Sequence, residues 1–296
     1  MQYSIGIMGS SGFVGGAIKR FFQKTNTPNL YLFDKYKGEG SLEDVQNADV
    51  VFVAVPTPFE EEKGGFDLTF VRDAISSLEG SKIVVIKSTV LPGTTQNFQK
   101  EFPQHKFIFN PEFLTQLTAD SDMQYPDRQI VGYTKESYSI AKDIVRILPL
   151  APFERIIPAT EAEMVKYFNN TWFATKVVFA NQIFDLCKSL DLNYENIRDC
   201  ASADKRVGPS HLDVLHGGYR GYGGACLPKD TRALIQLGER VGTSMDLLKK
   251  VEEINNELRS KNLMEERQIV QKTDNGNVPP AVVENMQLHL DIPRGA

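Results

Sequence analysis

The first half of the chain alternates short runs of β-branched and aromatic residues with stretches of helical periodicity. Parallel strands need a long crossover, usually a helix, so this alternation predicts a parallel sheet. The strand-like runs are continuously apolar apart from polar residues at or near their ends, and the sheet is therefore expected to be covered by helices on both faces. This half is predicted to be an α/β domain with a Rossmann-type doubly wound sheet. The predicted strands are Tyr3–Met8, Leu30–Phe33, Val50–Val55, Lys82–Lys87, Lys106–Phe109 and Gln129–Gly132, and the helices between them include Gly15–Gln23 and Leu68–Ser77.

The pattern changes near Pro158. Neither glycine nor proline interrupts the chain from Glu161 to Leu190, which predicts one long helix. Thr160 followed by Glu163 fits a capping box at the start of this helix. Apolar residues recur along it at helical spacing, namely Met164, Phe168 and Trp172. Further helices are predicted over Lys229–Val241 and Met245–Arg259.

These patterns divide the chain into three segments. Residues 1–157 form the predicted Rossmann-type domain, and residues 158–262 form an all-α central domain that contains the long helix. Residues 263–296 are rich in polar residues and proline, which predicts an irregular tail.

Composition excludes several classes of function. The net charge of −5 argues against a nucleic-acid partner, because such partners need a basic surface. No run reaches the ~18 apolar residues of a membrane span, and the start of the chain has no signal-peptide pattern. The three cysteines form no CxxC pair or Cys/His cluster, so neither a disulfide framework nor a metal site is expected. The predicted location is the cytoplasm.

A glycine-rich turn, Gly9–Gly15, follows the first predicted strand and opens a helix. Such a turn lets the backbone approach a pyrophosphate, and the helix N-terminus attracts its negative charge. Asp34 closes the second strand, where a carboxylate accepts hydrogen bonds from a ribose and repels a 2′-phosphate, so NAD is the predicted cofactor. The predicted contacts in the turn are Gly9, Ser11, Gly12, Phe13, Val14 and Gly15. The spacing GxxGxxG is one residue longer than usual and also occurs in the short-chain dehydrogenase and epimerase group, which remains an alternative enzyme class.

Cys226 is the candidate nucleophile. It lies at the end of a glycine-rich loop and directly before a predicted helix. The helix N-terminus and Lys229 are expected to stabilise a thiolate there. Asp230 follows about one helical turn later, where a carboxylate can hold a water molecule or orient a neighbouring group. The alternative is a buried cysteine that serves only as a small apolar residue.

Other candidate residues follow predicted strands or share a helix face. Lys166 and Asn170 lie one turn apart on the long helix, where an ammonium and an amide could stabilise an oxyanion. Glu112 and Thr89 follow strands, at the edge where open α/β sheets bind ligands. The segment Val55, Pro56 and Thr57 follows another strand and is expected to wall the cofactor pocket. Each could instead be an ordinary surface or loop residue.

In combination these segments resemble the UDP-glucose/GDP-mannose dehydrogenase family. The matching stretches occur in the family's order over roughly residues 3 to 260. They are Gly12-Phe-Val-Gly15, Val55-Pro-Thr-Pro58, Lys87-Ser-Thr-Val90, Gly93-Thr-Thr95, Asn110-Pro-Glu-Phe-Leu114, Pro126-Asp-Arg128, Ile130-Val-Gly132, Glu163-x-x-Lys166-x-x-x-Asn170, Asp204-x-Arg206-Val-Gly208 and Gly223-Gly-Ala-Cys226-Leu-Pro-Lys-Asp230.

The resemblance implies a four-electron oxidation of a nucleotide-sugar primary alcohol to the acid by NAD. Cys226 would form a thiohemiacetal with the aldehyde and then a thioester. Lys166 and Asn170 would stabilise the oxyanion. Asp230 would help activate the water that hydrolyses the thioester, and Glu112 would assist this hydrolysis. Thr89 would support the network of water molecules there. The assigned substrate contacts are Phe113, Leu114, Arg206, Tyr219 and Gly223, and Lys229 is placed with the cofactor.

The resemblance also implies a homodimer built on the long helix. Family members continue into a further domain that helps bind the nucleotide, and the chain is expected to be a compact form without it. Two other hypotheses remain open. One is a one-step NAD-dependent hydroxyacid dehydrogenase on a shared architecture, and the other is a non-catalytic NAD-binding dimer that has lost its substrate domain.

Overall fold

A computed structural model describes residues 3–60, 65–115, 117–216 and 218–273 of the chain, with side chains described up to residue 261. The chain forms two compact units. The first comprises Met1–Phe173 and Ala225–Leu248, and the second comprises Ala174–Gly224 and Lys249–Ala296. The division falls within the long helix, so the predicted domain boundary at residue 158 stays a prediction.

The first unit is built on a sheet of eight strands. These strands are β1 (Ile5–Met8), β2 (Leu30–Asp34), β3 (Glu39–Gly40), β4 (Val50–Val53), β7 (Ile83–Ile86), β8 (Lys106–Phe109), β9 (Arg128–Tyr133) and β10 (Phe153–Pro158); β5 (Phe59–Glu60) and β6 (Gly65–Phe66) form a separate ribbon. Their order across the sheet is β10-β9-β8-β7-β4-β1-β2-β3. Strand order reverses beside β1, and ligands bind outside the carboxyl ends of the strands at such a switch point. The Rossmann-type fold is confirmed.

Helices cover both faces of this sheet because successive strand residues point to opposite sides. Val51 and Val53 of β4 belong to one buried cluster, whereas Val50 and Phe52 belong to the other. The helices of the first unit are α1 (Phe13–Lys24), α2 (Leu42–Val45), α3 (Thr69–Ser76), α4 (Thr94–Glu101), α5 (Ala119–Gln124), α6 (Ala141–Ile147), the start of α7 (Ala159–Ser189) and α9 (Leu227–Arg240). A short 3₁₀ helix over Tyr138–Ile140 precedes α6.

The sheet is not entirely parallel. Strand β9 runs antiparallel to β8, β10 runs parallel to β9, and β3 runs antiparallel to β2. Strand β10 was not among the predicted strands, because it lies at an edge and its side chains are largely exposed. An apolar run indicates a strand but carries no information on its direction, so the sequence pattern could not show the reversal at β9.

The long helix is confirmed as α7, but its predicted capping box is wrong. The helix begins at Ala159, so Thr160 lies inside it. The buried Glu163 instead accepts hydrogen bonds from the backbone N–H of Gly93 at 2.5 Å and of Thr95 at 2.7 Å. Glu163 therefore caps α4, whose N-cap Gly93 has a φ of 95° and supplies no side chain. Burial raises the pKa of Glu163 to about 7 although these hydrogen bonds oppose the shift.

The second unit is mainly helical, as predicted. It contains the remainder of α7, helix α8 (Tyr194–Ser202) and most of α10 (Asp246–Thr273). A two-stranded ribbon of β11 (Leu215–His216) and β12 (Tyr219–Arg220) was not predicted. Helix α10 extends beyond the predicted end at Arg259 and into the predicted tail, and residues 274–296 lie outside the described residues. Within the described part of the chain, we find no helix that is long and apolar enough to cross a membrane.

Candidate active site

The glycine-rich turn joins β1 to α1 at the carboxyl edge of the sheet. Gly9 has a φ of 82°, and a side chain there would meet the backbone oxygen of Ala54. A side chain on Gly15 would collide with the backbone of Gly9, so the close contact between the first turn of α1 and the preceding loop requires glycine at this position. Gly12 is the N-cap of α1 and no side chain caps the helix. The first N–H groups of a helix lack partners within it, so this turn has the form of an anion-binding site.

Asp34 closes β2 beside this turn, as predicted, and it is buried. Its carboxylate accepts hydrogen bonds from the backbone N–H of Ser11 at 3.2 Å, Tyr36 at 3.1 Å and Lys37 at 3.0 Å. A carboxylate has about four acceptor positions, so it retains capacity for a ribose hydroxyl. Asp34 therefore also holds the turn to the strand, which the sequence pattern did not indicate.

The segment after β4 runs along the same edge. Val55 packs against the core on one face of the sheet, and its carbonyl oxygen accepts a hydrogen bond from the Ser88 hydroxyl at 2.7 Å. Pro56 is exposed and Thr57 is buried. Since β1 and β4 are adjacent parallel strands, this segment follows the carboxyl end of the strand next to the glycine-rich turn.

A buried ion pair links the loop after β8 to helix α7. The Nζ of Lys166 lies 2.6 Å from Oε1 of Glu112 and donates a second hydrogen bond to the Glu112 carbonyl oxygen at 2.9 Å. The backbone N–H of Leu114 donates to Oε2 of Glu112 at 2.9 Å. Burial by itself would raise the pKa of Glu112, but the charge and hydrogen bonding of Lys166, together with the Leu114 N–H and the charge of Lys87, outweigh it, and the pKa is lowered.

A second buried pair joins α7 to α9. The Asn170 amide donates to Oδ2 of Asp230 at 2.5 Å, and Lys229 lies 2.9 Å from Oδ1 of the same carboxylate. Asp230 is 1% exposed. The ammonium of Lys229 also lies 4.6 Å from the centre of the Phe66 ring, on the ribbon of β5 and β6. This geometry places Lys229 beside Asp230; its assignment to the cofactor stays a prediction.

Cys226 is the N-cap of α9 and is an exposed free cysteine. Desolvation by the surrounding protein raises the pKa of its thiol, and so do Glu112 and Asp230. Lys166 and Lys229 lower the pKa but do not outweigh these effects. Lys229 therefore acts in the predicted direction, but the net pKa of the thiol is raised, which corrects the expectation of a stabilised thiolate, and the thiol must lose its proton when it reacts.

The remaining predicted substrate residues fall into both units. In the first unit, the Phe113 ring lies under the Arg128 guanidinium at 3.9 Å, and Leu114 packs against the core. Thr89 follows β7 and is partly buried. Three further predicted residues, Arg206, Tyr219 and Gly223, belong to the second unit.

Within the second unit the surroundings of these three residues differ. Arg206 is exposed and pairs with Asp204 at 2.6 Å. The Tyr219 ring lies 3.6 Å from the Arg259 guanidinium, and Gly223 lies against the Tyr219 hydroxyl. All of these assignments to the substrate stay predictions.

Lys87 and Asn110 form part of this site, although the sequence pattern assigned them no role. The Nζ of Lys87 donates to Oδ1 of Asn110 at 2.8 Å, and both side chains are buried. Burial lowers the pKa of Lys87 to about 8, although Glu112 opposes the shift. The signal was available, because Lys87 ends one predicted strand and Asn110 directly follows the next predicted strand along the chain. Among the residues that the structure describes, no group of three or more His, Cys, Asp or Glu side chains is placed to hold a metal ion.

Two models of one protein family match the chain. Residues 31–148 match the NAD binding domain of the UDP-glucose/GDP-mannose dehydrogenase family, and residues 160–257 match its central domain. Among curated proteins, the UDP-glucose 6-dehydrogenase of Rickettsia conorii is 35% identical over 217 residues, which is 70% of this chain and 49% of that protein. The UDP-glucose 6-dehydrogenase YwqF of Bacillus subtilis is 34% identical over 71% of this chain and 49% of its own length. The chain spans about half the length of the curated relatives it matches.

Solved structures show the same architecture. A UDP-glucose dehydrogenase from Pyrobaculum islandicum superposes with a TM-score of 0.74 at 28% identity and covers 86% of this chain and 68% of its own. A 3-hydroxyisobutyrate dehydrogenase from Mycobacterium tuberculosis has a TM-score of 0.67 at 16% identity, with 87% of this chain and 94% of its own covered. The second similarity shows the fold alone.

Proposed function

Because the chain belongs to the UDP-glucose/GDP-mannose dehydrogenase family, we propose that it oxidises the primary alcohol of a UDP-glucose-like nucleotide sugar to the uronic acid with two equivalents of NAD. The observation that carries the proposal is the set of charged and polar groups around one cysteine. Lys166, Glu112, Asp230 and Lys229 all influence the pKa of the Cys226 thiol. These four residues come from three segments that are far apart in the sequence, which supports a common catalytic role.

The first unit fits the cofactor of this family. The N-terminus of α1 has no side-chain cap, and neither Gly9 in the preceding turn nor Gly15 in the first turn of the helix admits a side chain, which suits a pyrophosphate. Asp34 lies at the end of β2, where a carboxylate accepts from a ribose hydroxyl. When bound, NAD accepts a hydride from the substrate carbon.

The residues around Cys226 suit the first oxidation. As the alcohol carbon loses its hydride, its hydroxyl proton must be taken up and the resulting oxygen stabilised. Lysine has three N–H donors, of which Glu112 accounts for two, so Lys166 can direct the third at this oxygen. The Asn170 amide has a second N–H beside the one given to Asp230. Together they would form the oxyanion-binding pair.

The covalent step would then proceed at Cys226. Its sulfur adds to the aldehyde carbon, the thiol proton passes to the oxygen, and a thiohemiacetal forms. Removal of a second hydride and of the hydroxyl proton gives a thioester. Water attacks the acyl carbon, the C–S bond breaks, and the sulfur regains a proton. Asp230 and Glu112 are the carboxylates available to accept the proton of this water, and Thr89 would support the water network.

One alternative draws on a specific observation. The fold is shared with a 3-hydroxyisobutyrate dehydrogenase, which suits the hypothesis of a one-step hydroxyacid oxidation. That reaction makes no use of a nucleophilic thiol. The placement of Cys226 among paired lysines and carboxylates therefore favours the two-step oxidation over this alternative and over a non-catalytic NAD-binding dimer.

The first test is a substrate screen. The protein is incubated with NAD and, separately, with UDP-glucose, UDP-N-acetylglucosamine, UDP-N-acetylmannosamine and GDP-mannose, and NADH is followed by absorbance. The proposal expects NADH with at least one of these nucleotide sugars. NAD binding without NADH production from any of them would contradict the proposed activity and favour the non-catalytic alternative.

Replacement of Asp34 should weaken NAD binding. Asp34→Ala removes the ribose acceptor and frees three backbone N–H groups, of which that of Ser11 lies in the glycine-rich turn. Hydrogen bonds to a charged group are each worth roughly 1.5–3 kcal/mol, so we expect affinity to fall by about tenfold or more in calorimetry. Asp73→Ala, which removes an exposed carboxylate from α3, is the control. Unchanged affinity in Asp34→Ala would show that the ribose binds elsewhere.

The chain is also proposed to form a homodimer through α7. Large apolar side chains are exposed along this helix, namely Met164, Phe168, Trp172, Phe179 and Leu186. Exposed apolar stripes of this kind mark interaction surfaces. Phe168→Glu is expected to shift the protein from dimer to monomer in sedimentation, whereas Leu150→Glu, at a position that is 85% exposed in the first unit, should not. A monomeric wild-type protein would contradict the proposal.

A further inference from the structure

The longer glycine turn brings two serine hydroxyls onto a glutamate that no sequence motif identified. Ser10 and Ser11 each donate a hydrogen bond from their hydroxyl to Oε2 of Glu39 at 2.7 Å. Lys19 of α1 lies 2.7 Å from Oε1 of the same carboxylate. Turn, helix and strand β3 are therefore tied together by one side chain. The extra residue in the GxxGxxG spacing is what allows the turn to supply two serines.

Glu39 also lies next to the predicted ribose acceptor. It is the Cα partner of Asp34 in the antiparallel pairing of β3 with β2. Ser11 connects the two directly, because its backbone N–H donates to Asp34 and its hydroxyl donates to Glu39. Two carboxylates consequently lie at the same end of the sheet. The hydrogen bond from Lys19, followed by those from Ser10 and Ser11, lowers the pKa of Glu39 to about 2, so its charge persists at physiological pH.

We propose that Glu39 acts together with Asp34 in setting the dinucleotide preference of this chain, its fixed carboxylate helping to exclude a 2′-phosphate from the ribose position beside Asp34. This inference rests on the proposed NAD site. A 2′-phosphate carries a charge of about −1.5 to −2 and would face both carboxylates. Glu39 also forms an ion pair with Lys19, whose ammonium would otherwise be available to bind such a phosphate. A ribose without a 2′-phosphate is neither repelled by these carboxylates nor in need of the Lys19 cation.

Glu39→Gln tests the negative charge of Glu39 without changing the conformation of the turn. The amide keeps an oxygen that can accept from the serine hydroxyls, so the turn should be retained, while the negative charge is lost and Lys19 is released. We expect the affinity for NADP relative to NAD to rise about tenfold, since one full charge at short range from a phosphate is removed. Glu43→Gln is the matched control, because it removes an exposed charge from the neighbouring helix α2.

A second variant tests the proposal in the opposite direction. Lys19→Gln leaves the carboxylate of Glu39 without its cation, so the relative affinity for NADP should fall further. Binding of each dinucleotide to the full chain is measured by calorimetry without any sugar, and thermal unfolding checks that each variant is folded.

The outcomes separate this inference from the proposed function. A rise in relative NADP affinity in Glu39→Gln but not in Glu43→Gln supports the role of Glu39, as does a fall in Lys19→Gln. An unchanged ratio in Glu39→Gln, with NAD still bound, overturns the inference and leaves the NAD site intact. Failure of the wild-type protein to bind NAD at all would overturn both.

Discussion

Cys226→Ser is expected to reduce formation of the acid product by on the order of a thousandfold or more. A serine hydroxyl is a far weaker nucleophile than a thiol, so the aldehyde would not be captured and the second oxidation would lack its covalent intermediate. The first oxidation does not require the sulfur, so some aldehyde should form. Chromatography of the sugar products, with a carbonyl-trapping reagent present, measures both.

Cys200→Ser provides the matched control, because Cys200 is also an exposed free cysteine but lies in the second unit. It should retain the wild-type yield of acid. Full acid production by Cys226→Ser would remove the covalent mechanism and would favour direct oxidation of a hydrated aldehyde.

Lys166→Met should strongly destabilise the protein as well as impair catalysis. The substitution leaves the Glu112 carboxylate buried without the partner that lies 2.6 Å from it. Removal of one member of a buried pair costs roughly 3–5 kcal/mol, because the remaining charge is uncompensated. Lys87 also lowers the pKa of Glu112, so we expect a value near the lower end of that range. Urea unfolding at neutral pH measures the change in the free energy of unfolding.

The effect should depend on pH. In the wild-type protein the pKa of Glu112 lies below its ordinary value of 4.5, so its ion pair stabilises the fold above that pH and is lost as the pH falls through the lowered pKa. Without Lys166, burial would raise the pKa of Glu112, and the variant should recover stability as the pH falls and the carboxyl becomes neutral. The difference in unfolding free energy between the two proteins is therefore expected to shrink in acid.

Two further variants distinguish the effect of breaking the buried ion pair from the effect of removing any lysine on the free energy of unfolding. Lys166→Met combined with Glu112→Gln removes both charges and should recover part of the lost stability. Lys250→Met breaks an exposed pair with Glu253 and should leave the unfolding free energy unchanged. A pH-independent loss in Lys166→Met would mean that packing of the lysine stem, rather than its charge, stabilises the site.

Much of the fold followed from apolar patterning. The strands over residues 5–8, 30–34, 50–53, 83–86, 106–109 and 128–133 were predicted with small errors at their ends, because strands covered on both faces leave largely apolar runs. Strand β10 was missed because its exposed edge position leaves no such run. The end of α10 was also misplaced, since a polar helix resembles a polar tail in composition.

The candidate site was only partly predictable. Residues that occur in recognisable motifs, such as Cys226 and Lys166, could be singled out in the sequence. The roles of Glu39 and Glu163 could not, because each acts through residues that are distant in sequence and come together only in the folded chain. The raised pKa of Cys226 likewise depends on desolvation by the surrounding protein and on the carboxylate of Glu112, which a distant segment contributes.

The stoichiometry of NADH is the most direct test of the proposed two-step oxidation. A limiting amount of the nucleotide sugar identified in the screen is oxidised to completion with excess NAD, and NADH and the acid product are measured together. The mechanism centred on Cys226 predicts about two NADH for each sugar consumed, with the acid as the product. About one NADH for each sugar, with an aldehyde or ketone as the final product, would contradict it.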